Sequence, residues 1–150
     1  MAITASGVYG LTLSKQLQDT LGRDMNSETL TYVLLITDSA TPDFDAHDFR
    51  NDITNEPSTA DGYTVGGTLM AGTTLTVSTN GTLIYDGNDV SWATSTITSA
   101  MAAVGYFTTG SSTTDELIWL SDFVTAASSS GGTFSVTWST GGIIIYDFTP

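Results

Sequence analysis

A mainly β fold, a single-domain β-sandwich of jelly-roll-like or related topology with a short N-terminal helix, is what this 150-residue sequence predicts. Three observations point there. From residue 73 onward, short segments of alternating apolar and polar residues recur at intervals of roughly ten, punctuated by Gly and Asn. Charged residues make up only 13% of the chain, against ~25% in ordinary soluble domains, and Thr, Ser and Gly take their place. Thr fits a pleated surface and Gly supplies turns, so that exchange favours strands. Hydrophobic residues still reach 40%, enough for one core in a chain of this length.

Taken in order, residues 1–10 lack periodicity and read as an arm or an edge strand. Leu13, Leu17 and Leu21 share one helical face, which predicts a short helix from a Ser14 cap to Leu21, ended by Gly22. Residues 1–28 thus form an N-terminal arm plus helix. Residues 29–37 (TLTYVLLIT) are the strongest strand signal. Leu30, Tyr32, Leu34 and Ile36 line one face while Val33 and Leu35 make the other apolar too, so this strand is expected to be covered on both sides. Residues 43–53 carry the densest charge and read as one or two helical turns anchored by Phe44, Phe49 and Ile53. An irregular connection follows over residues 54–67, with Tyr63 and Val65 tucked in. Strands are then expected at residues 73–77 and 82–85 around an Asn80-Gly81 turn. Val90, Ser91 and Trp92 lead into one long strand over 95–107, and further strands follow at 117–124, 133–139 and 143–148.

Sixteen acidic residues face three basic ones, Lys15, Arg23 and Arg50, for a formal net charge of −13. Phosphate backbones and anionic membrane surfaces are repelled by such a chain, so neither nucleic acid nor membrane is an expected partner. There is no cysteine, hence no disulfide or thiolate chemistry. No basic segment followed by an apolar run opens the chain, so no signal peptide is expected.

Catalysis lacks parts. His47 is the only histidine and stands among Asp43, Asp45 and Asp48. It reads either as a general base or metal ligand steered by carboxylates, or as a polar residue on a solvated turn whose carboxylates cap backbone amides. The second reading is favoured. There is neither a nucleophile elbow nor a phosphate-binding loop, and Lys15 is the only lysine. Asp115 and Glu116 are adjacent and point to opposite faces if extended, the wrong geometry for a glycosidase pair; a solubilising loop is the plainer reading. Asp86, Asn88 and Asp89 have the oxygen ligands of a calcium loop without its late Glu, and the same residues make a good turn. No catalytic, cofactor or metal residue is assigned. Trp92, Trp119 and Trp138 could line a carbohydrate groove or fill the core, and the core is favoured.

Three stretches carry a resemblance. Residues 46–56 (AHDFRNDITNE) with 62–67 (GYTVGG), residues 89–92 (DVSW) with the following strand-like Thr96, Ile97 and Thr98, and residues 132–138 (GTFSVTW) with the Ile-rich ending are similar to small virion proteins of tailed bacteriophages. Residues 100–105 depart from the pattern in lacking an arginine beside an aromatic. The resemblance implies a non-enzymatic head decoration or cement protein, assembled into the virion in the host cytoplasm. Its implied partner is the major capsid protein, on which it would sit as a dimer or trimer. A head–tail joining or tail structural protein, or a carbohydrate-binding adhesion module, is the alternative. The N-terminal region, which holds every cation, is expected to touch the shell, so that deleting residues 1–10 abolishes binding but spares the β fold.

Overall fold

The computed structural model describes residues 3–27, 29–59, 62–78 and 81–148, which form a mainly β protein of three antiparallel sheets and one α-helix. The strands are β1 (Gly7–Val8), β2 (Thr31–Thr37), β3 (Thr68–Leu69), β4 (Thr74–Val77), β5 (Thr82–Asp86), β6 (Val90–Ser95), β7 (Ala100–Phe107), β8 (Leu117–Ala127), β9 (Gly132–Val136) and β10 (Ile144–Asp147). A five-stranded sheet runs β1-β8-β7-β2-β3, a three-stranded sheet runs β10-β5-β4, and β6 pairs with β9. Part of the expected turn at Asn80-Gly81 lies outside the described residues. Among the described residues no helix is long and apolar enough to cross a membrane.

The large sheet explains the double apolar face of β2. Val33 and Leu35 join one hydrophobic cluster with Tyr85 and Ile144 of the three-stranded sheet and Val90, Trp92, Phe134 and Val136 of the two-stranded one. Leu34 and Ile36 join a second, on the opposite face, closed by Ile3, Tyr9 and Ala40 with Phe44 and Ile53 against it. One face of the large sheet therefore packs on two small sheets in the manner of a sandwich, and the other is roofed by N-terminal and loop residues. Strand β7 is buried along its whole length, and its small residues make room. Gly105 pairs with Trp119 across the ladder, and a Cβ there would collide with the indole.

Two expected elements are displaced. The helix, α1, spans Gly10–Leu17 rather than 14–21. Backbone bonds fix its start: Tyr9 N–H donates to Ile118 C=O at 3.0 Å and Gly10 N–H to Phe44 C=O at 2.9 Å. Ser14 lies inside the helix, and Asp19, at φ 55°, turns the chain before Leu21. The single strand expected over 95–107 is two strands. Ser95 ends β6 while Ala100 starts β7 in another sheet, and Ser99 (φ 53°) lies in the corner between them. Alternation on both sides of a corner reads as one strand because the side-chain period survives the change of sheet. Residues 137–139 lie beyond β9, and the N-terminal arm holds a genuine edge strand, β1, paired with β8.

Near the end of β8, Val124 adopts φ 64° while 79% exposed, its N–H held by the Asp122 carboxylate at 2.8 Å. A β-branched residue pays roughly 1–2 kcal/mol for the left-handed region, which Asn tolerates. Val124→Asn is expected to stabilise the fold by about 1 kcal/mol. A urea midpoint that fails to rise, at unchanged slope, would refute strain at this position.

Candidate functional site

Residues 46–56 and 62–67 fold together into one polar cluster. Residues 43–52 form tight turns stabilised by their own carboxylates. Asp43 Oδ1 accepts from the N–H groups of Asp45 and Ala46, both at 3.0 Å, and its own N–H donates to His47 Nδ1 at 3.2 Å. Asp52 Oδ2 accepts from Asp48 and Phe49 N–H at 2.9 and 3.0 Å, bonds that hold the Asp52 carboxyl below the ordinary range, with a smaller contribution from His47. His47 thus lies in a turn among capping carboxylates.

The segment then lies along the start of β8 like a partial strand. Arg50 N–H donates to Asp115 C=O at 2.8 Å, Leu117 N–H to Asp48 C=O at 2.9 Å, and Phe49 bridges Glu116. The backbone register brings the Arg50 side chain over β7 and its Nε to 2.9 Å from Asp115 Oδ2, with the guanidinium 5.3 Å from the Tyr106 ring centre. Asp115 is fully buried, and its second oxygen accepts from Thr109 N–H at 2.6 Å and Thr109 Oγ1 at 3.1 Å. Tyr106 O–H donates to Gly66 C=O at 2.6 Å. Glu56 Oε1 accepts from Tyr63 O–H at 2.7 Å and Gly66 N–H at 2.6 Å, while Tyr63 Oη accepts from Leu35 N–H at 3.1 Å. Burial pushes both tyrosine hydroxyls far above the phenol range, so they remain donors. Gly67, at φ 73°, passes so close to the Val33 carbonyl that no Cβ fits.

The reading of Asp115 and Glu116 as a solubilising loop is corrected. Both are buried, and each is paired: Asp115 with Arg50, and Glu116 with Arg23 at 3.4 Å. The cations are likewise paired within the chain. Lys15 contacts Asp48 at 2.5 Å and sits 4.7 Å over the Phe49 ring, so all three cations are committed to internal ion pairs. The signal available in the sequence was Arg50 itself, a lone cation in the middle of an acidic run.

Elsewhere, the turn at 86–89 holds a neighbouring loop. Asp89 Oδ1 accepts from Trp138 N–H at 2.9 Å and Asn88 C=O from the Trp138 indole at 3.0 Å, while Asp86 Oδ1 accepts from Gly87 N–H at 2.9 Å. Among the described residues no three His, Asp or Glu side chains are grouped to hold a metal. Trp92 is buried between Tyr63 and Phe134, with ring centres 5.6 and 6.1 Å away, and Trp119 is buried against Trp138. Trp92 is therefore not a stacking platform for a sugar.

Two outcomes follow from this cluster. Arg50→Met strands a buried carboxylate and is expected to cost about 3 kcal/mol in a urea melt, the low end for a broken buried pair because Arg50 still reaches solvent; a loss under 1 kcal/mol would show the pair to be dispensable. Burial raises the Glu56 carboxyl above its ordinary value of 4.5, outweighing its bonds to Tyr63 and Gly66 and the attraction of Arg50. A raised carboxyl binds its proton more tightly when folded, so stability declines as pH climbs from about 4.5 through the raised value. Glu56→Gln is accordingly expected to be more stable than the parent at pH 7, with the advantage gone at pH 4; an advantage independent of pH would count against a charge effect.

No family model matches the chain, and no curated protein or solved structure matches it significantly. A functional reading rests on the chain's own residues.

Proposed function

We propose that this chain is a structural protein of a tailed-bacteriophage virion that binds and stabilises the capsid surface, a head decoration or cement protein acting without catalysis. The observation that carries the reading is where the resemblance residues lie. Arg50, Asp52, Glu56, Tyr63, Gly66 and Gly67 all act in holding the scaffold together, so the residues that carry the resemblance serve the β framework. A particle-bound role fits the rest of the surface. With all three cations in ion pairs within the chain, the exterior is dominated by acidic and neutral polar groups, together with a few strongly exposed apolar side chains. Such a molecule is suited to lying on a repeating protein lattice and repelling nucleic acid and neighbouring particles. Binding only to the assembled shell stabilises it by mass action.

The expectation that residues 1–10 form a separable arm is not retained. Ile3 and Tyr9 are buried, and β1 is hydrogen-bonded to β8, so deleting this segment would damage the fold and leave a binding defect uninterpretable. The direct test is co-sedimentation of the purified chain with phage heads stripped of it, followed by imaging and heating. Saturable occupancy at regular lattice positions, with heads more resistant to heat, is the expected result. Binding confined to tails or to the head–tail vertex would replace decoration with a joining or tail role.

A further inference from the structure

The three-stranded sheet leaves one end of its inner face only partly covered. Cross-strand pairing puts Leu75, Tyr85 and Ile144 in one row and Val77, Leu83 and Tyr146 in the next, all on one side. In the first row Tyr85 and Ile144 are buried against the large sheet. In the second row Leu83 and Tyr146 are half-buried, with Tyr146 against the same cluster, but Val77 is 71% exposed, and Phe148, 72% exposed, stacks on Tyr146 with ring centres 6.3 Å apart. Helix α1 faces the same space with Leu13 and with Leu17, which is 79% exposed. Between sheet and helix lies an apolar groove of about 120 Å³, with Met25, Leu75 and Leu83 in its walls. Exposed apolar residues scattered singly are ordinary, but a groove flanked by three such exposed side chains marks a contact surface.

Charge selects the occupant. Asp19 lies two residues after Leu17 and Asp24 beside Met25, both exposed, whereas Lys15 and Arg23 are tied to Asp48 and Glu116. A second copy carries the same net charge of −13 and the same acids, so it is repelled. The complement is a neutral-to-basic protein surface that inserts apolar side chains and places Lys or Arg at the rim. Resting on the capsid reading above, we propose that the groove between α1 and the β4–β5–β10 sheet is the face seated on the shell, with the shell protein supplying an apolar ridge bordered by cations.

The test uses the full-length chain and heads stripped of it, with Leu17→Asp, Val77→Asp and Phe148→Asp as groove variants. Val124→Asp is the control, an equally exposed apolar side chain outside the groove. These side chains are solvent-exposed, and thermal melts verify that each variant folds. Expected are at least tenfold weaker binding for the groove variants, parental binding for the control, and parental affinity that falls as salt is raised. Groove variants that bind like the parent would overturn the placement and leave the capsid reading standing. A parent that does not bind heads would remove the capsid reading and this inference with it. A dimer of the free chain that Leu17→Asp dissolves would make the occupant a second copy and overturn the shell as partner.

Discussion

Asp115 sets the terms on which the rest of this chain folds. Its carboxylate has no exposure to solvent, and an ionised group in that position is tolerable only with a matched cation and its other lone pairs satisfied. Arg50 and Thr109 meet that demand. Placing Arg50 there lays residues 48–51 against the start of β8. That position in turn presents Asp48 to Lys15, and the bridge at Phe49 holds Glu116 where Arg23 reaches it. The Arg23 and Arg50 pairs, 93 and 65 residues apart, fasten the N-terminal third of the chain to the start of β8, and the Lys15 pair, 33 apart, ties the helix to the segment lying against it. In a protein without disulfides, this polar frame does locally what a covalent link would do.

The same arrangement determines how the molecule meets others. Three cations among sixteen acids would ordinarily soften the surface charge at a few points. Here each is paired with a carboxylate while staying partly exposed, and the net charge of −13 keeps the outside acidic. Long-range forces therefore favour basic partners and oppose self-association, and short-range adhesion is left to the apolar side chains that the sheets do not cover.

The legible parts of the sequence were those in which one local rule acted alone. Strand β2 reads as doubly covered because Leu34 and Ile36 alternate with Val33 and Leu35, and the two hydrophobic clusters divide along that alternation. The hairpin of β4 and β5 is visible from its pattern. Asp115 and Glu116 were misread because adjacency in a polar stretch says nothing of burial; only the approach of Arg50 and Arg23 from far along the chain makes burial possible. The helix was misplaced for a related reason. Leu21 continues the Leu13, Leu17 spacing, but the helix is positioned by backbone bonds from Tyr9 and Gly10 to partners that no local pattern specifies. The break between β6 and β7 was hidden because a change of sheet leaves the alternation running. Only part of the polar cluster is legible: residues 43–53 stand out by their charge, but Glu56, Tyr63 and Tyr106 come together through Gly66 by tertiary packing.

Rigidity at the cluster and exposure at the groove are two sides of one helix. Residues two apart on an α-helix point about 200° from one another, so Lys15 faces away from both Leu13 and Leu17, which share a side at i, i+4 spacing. Lys15 ties α1 to Asp48, and Gln16 ties it to the Arg23 carbonyl at 2.7 Å. The apolar side is thereby held in place without being covered. A surface ordered in advance loses less conformational freedom on association than a mobile one, which leaves more of the contact energy for affinity. A helix of eight residues would not hold its shape in water alone. Its stability is drawn from tertiary contacts: the backbone bonds of Tyr9 and Gly10 to Ile118 and Phe44, the buried Thr12, and the Lys15 pair with Asp48.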